Sequence, residues 1–90
     1  MSAQLPELFG LTVRQQRELL GWSQERLAES ADLNRSYVGE LERGQAVPSL
    51  ITLDKLARAL GQSPSKLLAQ TESLSQQRLI RGLRLTAIAC

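Results

Sequence analysis

The segment from Asn34 to Gly44 carries the side chains in this sequence that are best suited to specific recognition. Counted at about 100° per residue, as in an α-helix, Arg35, Ser36 and Glu40 fall on one side of the segment. Arg35 offers a planar fork of hydrogen-bond donors, Ser36 a hydroxyl that donates and accepts, and Glu40 an acceptor. Such a face can recognise the edges of DNA bases, because the major groove admits an α-helix. An ordinary solvated helix surface is the other interpretation.

Capping residues mark the ends of this helix and of the helix before it. Asn34 is a good N-cap, and Gly44 can end the helix in the left-handed conformation. Ser23 is a good N-cap for an earlier helix that ends near residues 31–33, only a short turn before Asn34. Two short helices joined this closely form a helix-turn-helix unit. Gly39 falls on the recognition face of the second helix, where it is expected to keep that face flat.

Apolar residues at helical spacing predict five short helices and the sides that face the core. The predicted helices run over residues 6–20, 24–31, 34–43, 50–60 and 66–70, with Ser49 capping the fourth and Ser63-Pro64 starting the fifth. The residues expected to face inward are Leu8, part of Leu11, Val13, Leu20, Trp22, Leu27, Ala28, Ala31, Tyr37, Val38, Leu41, Leu53, Leu56, Ala57, Leu60, Leu67 and Leu68. No strand pattern interrupts these helices, so an all-α fold is predicted.

Four motifs follow one another along residues 8–69. They are Gly10-x-x-Val13-Arg14-x-x-Arg17, Gly21-Trp22-Ser23-Gln24-x-x-Leu27-Ala28, Ser36-Tyr37-Val38-x-x-Leu41-Glu42-Arg43-Gly44-x-x-x-Pro48 and Leu56-Ala57-x-Ala59-Leu60-Gly61. With these motifs the sequence resembles the Cro/repressor-type (XRE-like) helix-turn-helix family of bacterial and phage regulators. The resemblance implies a five-helix repressor-like DNA-binding domain, which we assign to residues 1–70. Residues 71–90 lie beyond the matching motifs and are assigned to a C-terminal helical extension.

The resemblance also implies roles for individual residues. Arg35, Ser36 and Glu40 match base-reading positions, whereas Gln24, Asn34, Tyr37 and Arg43 are assigned to the DNA backbone, and Arg17 with Glu42 to a structural ion pair. Arg35 could bind guanine O6 and N7, and Glu40 could accept a hydrogen bond from cytosine N4. Glu40 departs from the glutamine or basic residue often found at its position. It could instead act by repelling the wrong sequences.

The tail, residues 71–90, carries a separate apolar pattern. Leu79, Ile80 and Leu83 cluster on one side if the tail is helical, and a sixth helix is the predicted structure. Alternation at positions 85, 87 and 89 also fits a strand. Because the five helices before it form a complete unit in the family's pattern, the apolar stripe of Leu79, Ile80 and Leu83 is predicted to be a homodimer contact.

Composition argues against an enzyme, a metalloprotein and a membrane protein. The chain has no histidine, one cysteine at position 90 and no phosphate-binding P-loop. It therefore lacks an imidazole base, histidine ligands for zinc and a nucleotide-binding loop. No apolar run is long enough to span a membrane, and the N-terminus does not resemble a secretory signal. We expect a cytoplasmic protein with no cofactor, no metal, no membrane contact and no evident small-molecule ligand.

The charge of the chain is weakly positive and unevenly distributed. The net charge is +2, with eight basic and nine acidic residues in positions 1–72 and three arginines without an acid in positions 73–90. The helix-turn-helix region is therefore not basic overall. DNA binding there must depend on the local placement of charges rather than on a general positive field.

These features together predict a sequence-specific transcriptional regulator that binds double-stranded DNA. A single short helix reads only about four or five base pairs, so a homodimer on an operator with two-fold symmetry is expected. Phage repressors, controllers of restriction–modification genes and antitoxin autoregulators all fit. The operator sequence, and activation as against repression, are not specified. The alternative is a helix-turn-helix-derived protein–protein interaction module or an antitoxin-type partner-binding protein, although the arginine and serine of the recognition face favour DNA.

Overall fold

The chain is described by a computed structural model that covers the backbone of residues 4–89 and the side chains of residues 4–78. Its helices are α1 (Leu5–Leu19), α2 (Gln24–Ala31), α3 (Arg35–Glu42), α4 (Leu50–Ala59) and α5 (Pro64–Ala89). Residues 4–89 contain no strand, which confirms the predicted all-α fold. Within the described residues, no helix is both long and apolar enough to cross a bilayer.

Four of the helices begin at the polar caps that the sequence predicts. The side-chain oxygens of Ser23, Asn34, Ser49 and Ser63 accept hydrogen bonds from backbone amides in the first turns of α2, α3, α4 and α5, at 3.1, 2.8, 3.1 and 3.2 Å. Such a cap stabilises a helix by about 1 kcal/mol, because it satisfies an amide that has no partner within the helix. Gly44 follows α3 with a φ of +74°, in the left-handed region predicted for it.

The core lies where α1 to α4 and the first turns of α5 meet. Its buried members are Phe9, Val13, Leu27, Ala28, Ala31, Val38, Leu41, Leu53, Leu56, Ala57, Leu60 and Leu67, and Leu8 is buried as well. Tyr37 and Trp22 are partly buried and pack against this core, as predicted. Most of the predicted inward faces are therefore confirmed.

Two of the residues predicted to face inward are exposed. Leu20 is 48% exposed, because α1 ends at Leu19 and Leu20 already belongs to the turn that follows. Leu68 is 43% exposed and lines a groove on the surface. Phe9, which was not among the predicted core residues, is 4% exposed and packs in the core.

The helix predicted to end at residue 70 and the sixth helix predicted in the tail are one helix, α5. The tail is thus helical rather than a strand, and no break separates residue 70 from residue 71. Thr71 is 1% exposed, and its hydroxyl donates a hydrogen bond to Thr12 Oγ1 of α1 at 3.0 Å. The Thr12 hydroxyl donates in turn to the carbonyl of Leu8 at 2.9 Å. α5 is therefore anchored on α1 beyond the boundary predicted at residue 70, and the division into two parts stays a prediction.

α1 crosses the end of α3 at a point where only glycine fits. A Cβ atom on Gly10 would lie 2.8 Å from the carbonyl oxygen of Glu42 and closer still to that of Leu41. Real Cβ atoms do not approach backbone oxygens so closely, and neither backbone can give way without moving a whole helix. Gly10 thus lets α1 pack directly on the end of α3, which brings Arg17 within reach of Glu42.

Candidate nucleic-acid interface

The predicted base-reading side chains are together on the exposed side of α3. Arg35, Ser36 and Glu40 are all exposed, as is the capping residue Asn34. The three side chains have no hydrogen-bond or ion-pair partner among residues 4–78. Their donors and acceptors are therefore available to a ligand. α2 precedes α3 across a turn at residues 32–34, which completes the predicted helix-turn-helix unit.

A buried ion pair joins the end of α3 to α1. Arg17 donates from Nε to Glu42 Oε2 at 2.7 Å and from Nη2 to Glu42 Oε1 at 3.0 Å. The two side chains are 13% and 3% exposed, so the pair predicted from the resemblance is present and largely shielded from water. The hydrogen bonds with Glu42 raise the pKa of Arg17 above its ordinary value, against the opposing effect of burial. Arg17 Nη1 also donates to the carbonyl of Trp22 at 2.7 Å, which ties the turn after α1 to the same pair.

Gln24, the first residue of α2, also belongs to this ion-pair network. Its Nε2 donates a hydrogen bond to Glu42 Oε1 at 3.0 Å, and its side chain is half-buried. One of the two amide protons of this predicted phosphate ligand is therefore bound within the protein. The resemblance to the family assigns Gln24 to DNA but does not indicate this second partner.

Gly39 is buried, and the prediction that it forms part of the flat exposed face is wrong. A Cβ atom at this position would lie 3.1 Å from Arg43 Nη1 and 3.7 Å from Gln24 Oε1. Gln24 and Arg43, two of the four residues predicted to contact the DNA backbone, thus lie over Gly39 on the same side of α3. Arg43 Nε donates to Gln45 Oε1 at 3.2 Å in this exposed region.

The other two predicted backbone ligands are placed differently. Asn34 uses its side-chain oxygen to cap α3, so only its amide donors are free for a ligand. Tyr37 is partly buried against the core. Trp22 packs there too, with the guanidinium of Arg26 5.0 Å from the centre of its ring.

The predicted homodimer stripe of Leu79, Ile80 and Leu83 lies outside the residues whose side chains are described. A different apolar surface, not recognised from the sequence, is formed by Leu5, Val47, Leu50 and Leu68. Val47 and Leu50 are 77% and 84% exposed, and the four residues line a groove of about 220 Å³ with Phe9 and Leu53 among its other walls. The run Val47-Pro48-Ser49-Leu50-Ile51 was a possible signal, since Leu50 and Ile51 lie off the inward stripe of α4. We refer to these four residues as the apolar surface.

The sequence and fold are similar to those of known regulators. A helix-turn-helix family model matches residues 13–67. The control protein C.BamHI of Bacillus amyloliquefaciens is 45% identical over 62 residues, which cover 68% of this chain and 76% of that protein. The control protein C.SmaI of Serratia marcescens is 38% identical over 73 residues, covering 81% and 87%.

Among solved structures, the restriction-modification controller protein C.AhdI from Aeromonas hydrophila has 47% sequence identity and a TM-score of 0.67. The match covers 69% of this chain and 94% of that one. The family match agrees with the geometry of α2 and α3, with their polar caps and with the open polar side of α3. The chain belongs to the helix-turn-helix family and is a DNA-binding regulator of transcription rather than an enzyme.

Proposed function

We propose that this protein is a sequence-specific regulator of the restriction–modification controller type, which binds as a homodimer to an operator with two-fold symmetry. The observation that carries the proposal is the exposed face of Arg35, Ser36 and Glu40, whose polar groups have no partner among residues 4–78. This face stands on a helix fixed by its cap at Asn34 and by the ion pair at Glu42. Such a helix fits the major groove.

Arg35, Ser36 and Glu40 are the proposed base readers. The Arg35 guanidinium can donate two hydrogen bonds to guanine O6 and N7, a contact that discriminates between bases by about 1–3 kcal/mol. Ser36 can donate to or accept from a base edge. Glu40 accepts from cytosine N4 or, where no donor faces it, excludes a sequence by repulsion.

Backbone contacts are proposed at Gln24, Asn34, Tyr37 and Arg43. The amides of the first turn of α2 have no partners within the helix and lie at its positive end, which favours a phosphate. The Gln24 side chain starts from that turn, and Arg43 lies beside it over Gly39. Their proximity supports a shared backbone contact, with Arg43 supplying the charge.

The restriction–modification controller role is proposed from the similar proteins. C.BamHI and C.SmaI are named control proteins, and C.AhdI is named a restriction-modification controller. Identities of 38–47%, with matches that cover 76–94% of each of these proteins, support this role.

A homodimer is proposed because one recognition helix reads too few base pairs to specify a site. The apolar surface supports self-association, since exposed leucine and valine side chains around a groove are stabilised when a second copy covers them. α5 passes from Leu68 to position 79 without a break, and these positions are about three helical turns apart on the same side of the helix axis. The dimer contact is therefore proposed to extend from the apolar surface towards the predicted stripe of Leu79, Ile80 and Leu83.

Selection from a random library of DNA duplexes tests the proposed function. We expect enrichment of two inverted half-sites whose centres are about 10 base pairs apart, because dimers of this fold place their recognition helices one DNA turn apart. Failure to enrich any sequence would refute sequence-specific binding. Enrichment of a single, unrepeated half-site would refute the homodimer on a symmetric operator.

A further inference from the structure

Glu42 makes more hydrogen bonds than an ion pair requires. Its two oxygens accept from Arg17 Nε and Nη2, and Oε1 also accepts from Gln24 Nε2 at 3.0 Å. The carboxylate is 3% exposed, so these protein donors take the place of water around it. Glu42 thus links a buried cation on α1 to a half-buried side chain at the start of α2.

This contact settles the orientation of the Gln24 amide. A carboxylate only accepts hydrogen bonds, so the NH₂ group of Gln24 must face Glu42, and its Oε1 lies on the other side, over Gly39. The second amide proton of Gln24 has no partner among residues 4–78. A glutamine held in one conformation loses less rotamer entropy when it binds a ligand than a free one does.

The charge of Glu42 does not prevent a phosphate from binding near Gln24. An exposed acid at this end of α3 would repel the DNA backbone, but this carboxylate is paired at both oxygens with Arg17 and shielded from the surface. The network therefore presents a neutral amide donor towards the solvent and keeps the negative charge inside.

We propose that Glu42 is a positioning residue for DNA binding, which holds the side-chain amide of Gln24 ready to contact one phosphate. The inference rests on the proposed function, because it assigns Gln24 to the DNA backbone. Glu42 itself touches no DNA. Its effect on binding is transmitted through its hydrogen bond to Gln24.

The first test needs neither DNA nor a variant. Side-chain ¹⁵N relaxation of the free, full-length protein measures how rigidly each glutamine NH₂ group is held. We expect the Gln24 amide to be markedly more ordered than that of Gln15, an exposed glutamine on α1 that serves as the matched control. A Gln24 amide as mobile as that of Gln15 would overturn the proposal, whatever the protein binds.

The second test locates the effect on DNA. Ethylation interference on the selected duplex identifies the phosphates whose ethylation blocks binding. The phosphate that contacts Gln24 is the one whose ethylation no longer interferes with binding of Gln24→Ala. We expect Glu42→Ala to lose the signal at that same phosphate and to lower affinity by a similar factor, about tenfold, with no further loss in the double variant. If Glu42→Ala weakens the interference at every phosphate equally, or leaves the interference pattern unchanged, the positioning role is overturned.

A control separates positioning from lost stability. Thr71→Val removes a buried hydrogen bond between α5 and α1, in a different helix contact, and should leave the interference pattern unchanged. If Glu42→Ala does not fold, the relaxation experiment on the unmodified protein still tests whether the Gln24 amide is held in one position. Absence of any DNA binding by the unmodified protein would refute the proposed function and, with it, the phosphate contact, whereas the rigidity of Gln24 would still report on the hydrogen bond.

Discussion

Breaking the ion pair between Arg17 and Glu42 from either side should have unequal effects on stability. Arg17→Ala leaves a carboxylate that is 3% exposed with Gln24 as its remaining hydrogen-bond partner in the described part of the chain. Removing one member of a buried pair costs about 3–5 kcal/mol, and this variant should fall in that range. Glu42→Ala leaves a guanidinium that is 13% exposed and still donates to the carbonyl of Trp22, so a smaller loss, about 2–3 kcal/mol, is expected.

The double variant should lose less than the sum of these two effects. It removes both charges together, so no uncompensated charge remains buried, and a coupling of about 2 kcal/mol is expected. Because Arg17 has a raised pKa in the folded state, its charge and the stability it contributes are fully present below its ordinary pKa. They are lost only as the pH rises through the raised value. The coupling should therefore not weaken between neutral and mildly alkaline pH.

Urea denaturation followed by circular dichroism measures these free energies, provided that each variant unfolds in one transition. The exposed pair of Arg14 and Glu18 on α1 is a matched control, with an N···O distance of 3.4 Å and side chains 58% and 55% exposed. Each of its alanine variants should change stability by less than about 1 kcal/mol. If the losses from Arg17→Ala and Glu42→Ala add within about 0.5 kcal/mol, the pair does not stabilise the fold and the reasoning fails.

Three further predictions concern DNA reading, helix packing and the dimer. In a gel-shift series, Arg35→Ala should weaken binding to the selected site by about 1–3 kcal/mol and relax the preference at one base pair. The control variant Arg14→Ala should change neither the affinity nor the preference. Equal losses of affinity on selected and scrambled DNA would contradict base reading by Arg35. Gly10→Ala should lower the melting temperature sharply, by more than about 10 °C, whereas Gly39→Ala should be neutral or slightly stabilising, because only the tip of a flexible arginine must move. Leu50→Asp should weaken self-association in sedimentation without lowering the melting temperature at concentrations where the protein is monomeric. An equally tight dimer would exclude the apolar surface as the contact.

The starts of the helices and most of their inward faces were determined by the sequence alone. Ser23, Asn34 and Ser49 cap helices through hydrogen bonds to amides two or three residues away, so the contact is contained in a short stretch of chain. The helical period likewise places Arg35, Ser36 and Glu40 on one side without reference to any other part of the protein. Local geometry is enough for these features.

Other features of the core and surface depended on residues far apart in the chain. Gly10, which lies within a predicted helix and weakens it locally, is required where α1 meets the carbonyl of Leu41 at the end of α3. Thr71 is the first residue of the extension predicted from the sequence, yet it is buried against α1, where its hydroxyl donates a hydrogen bond to Thr12. Leu50 and Leu68 look like core residues by type, but the packing of α4 and α5 leaves them around a groove.

The candidate site also combines features that the sequence predicts with features that depend on tertiary packing. The resemblance of the motifs was sufficient to pair Arg17 with Glu42, which the structure confirms. It also predicts that Gln24 contacts DNA, which stays a prediction. Only the packing of α2 against α3 decided that Gln24 shares the carboxylate of Glu42 and that Gly39 is covered by Gln24 and Arg43. The physical reason is distance along the chain: the helical period and the caps act over a few residues, whereas these contacts exist only once separate helices have been brought together.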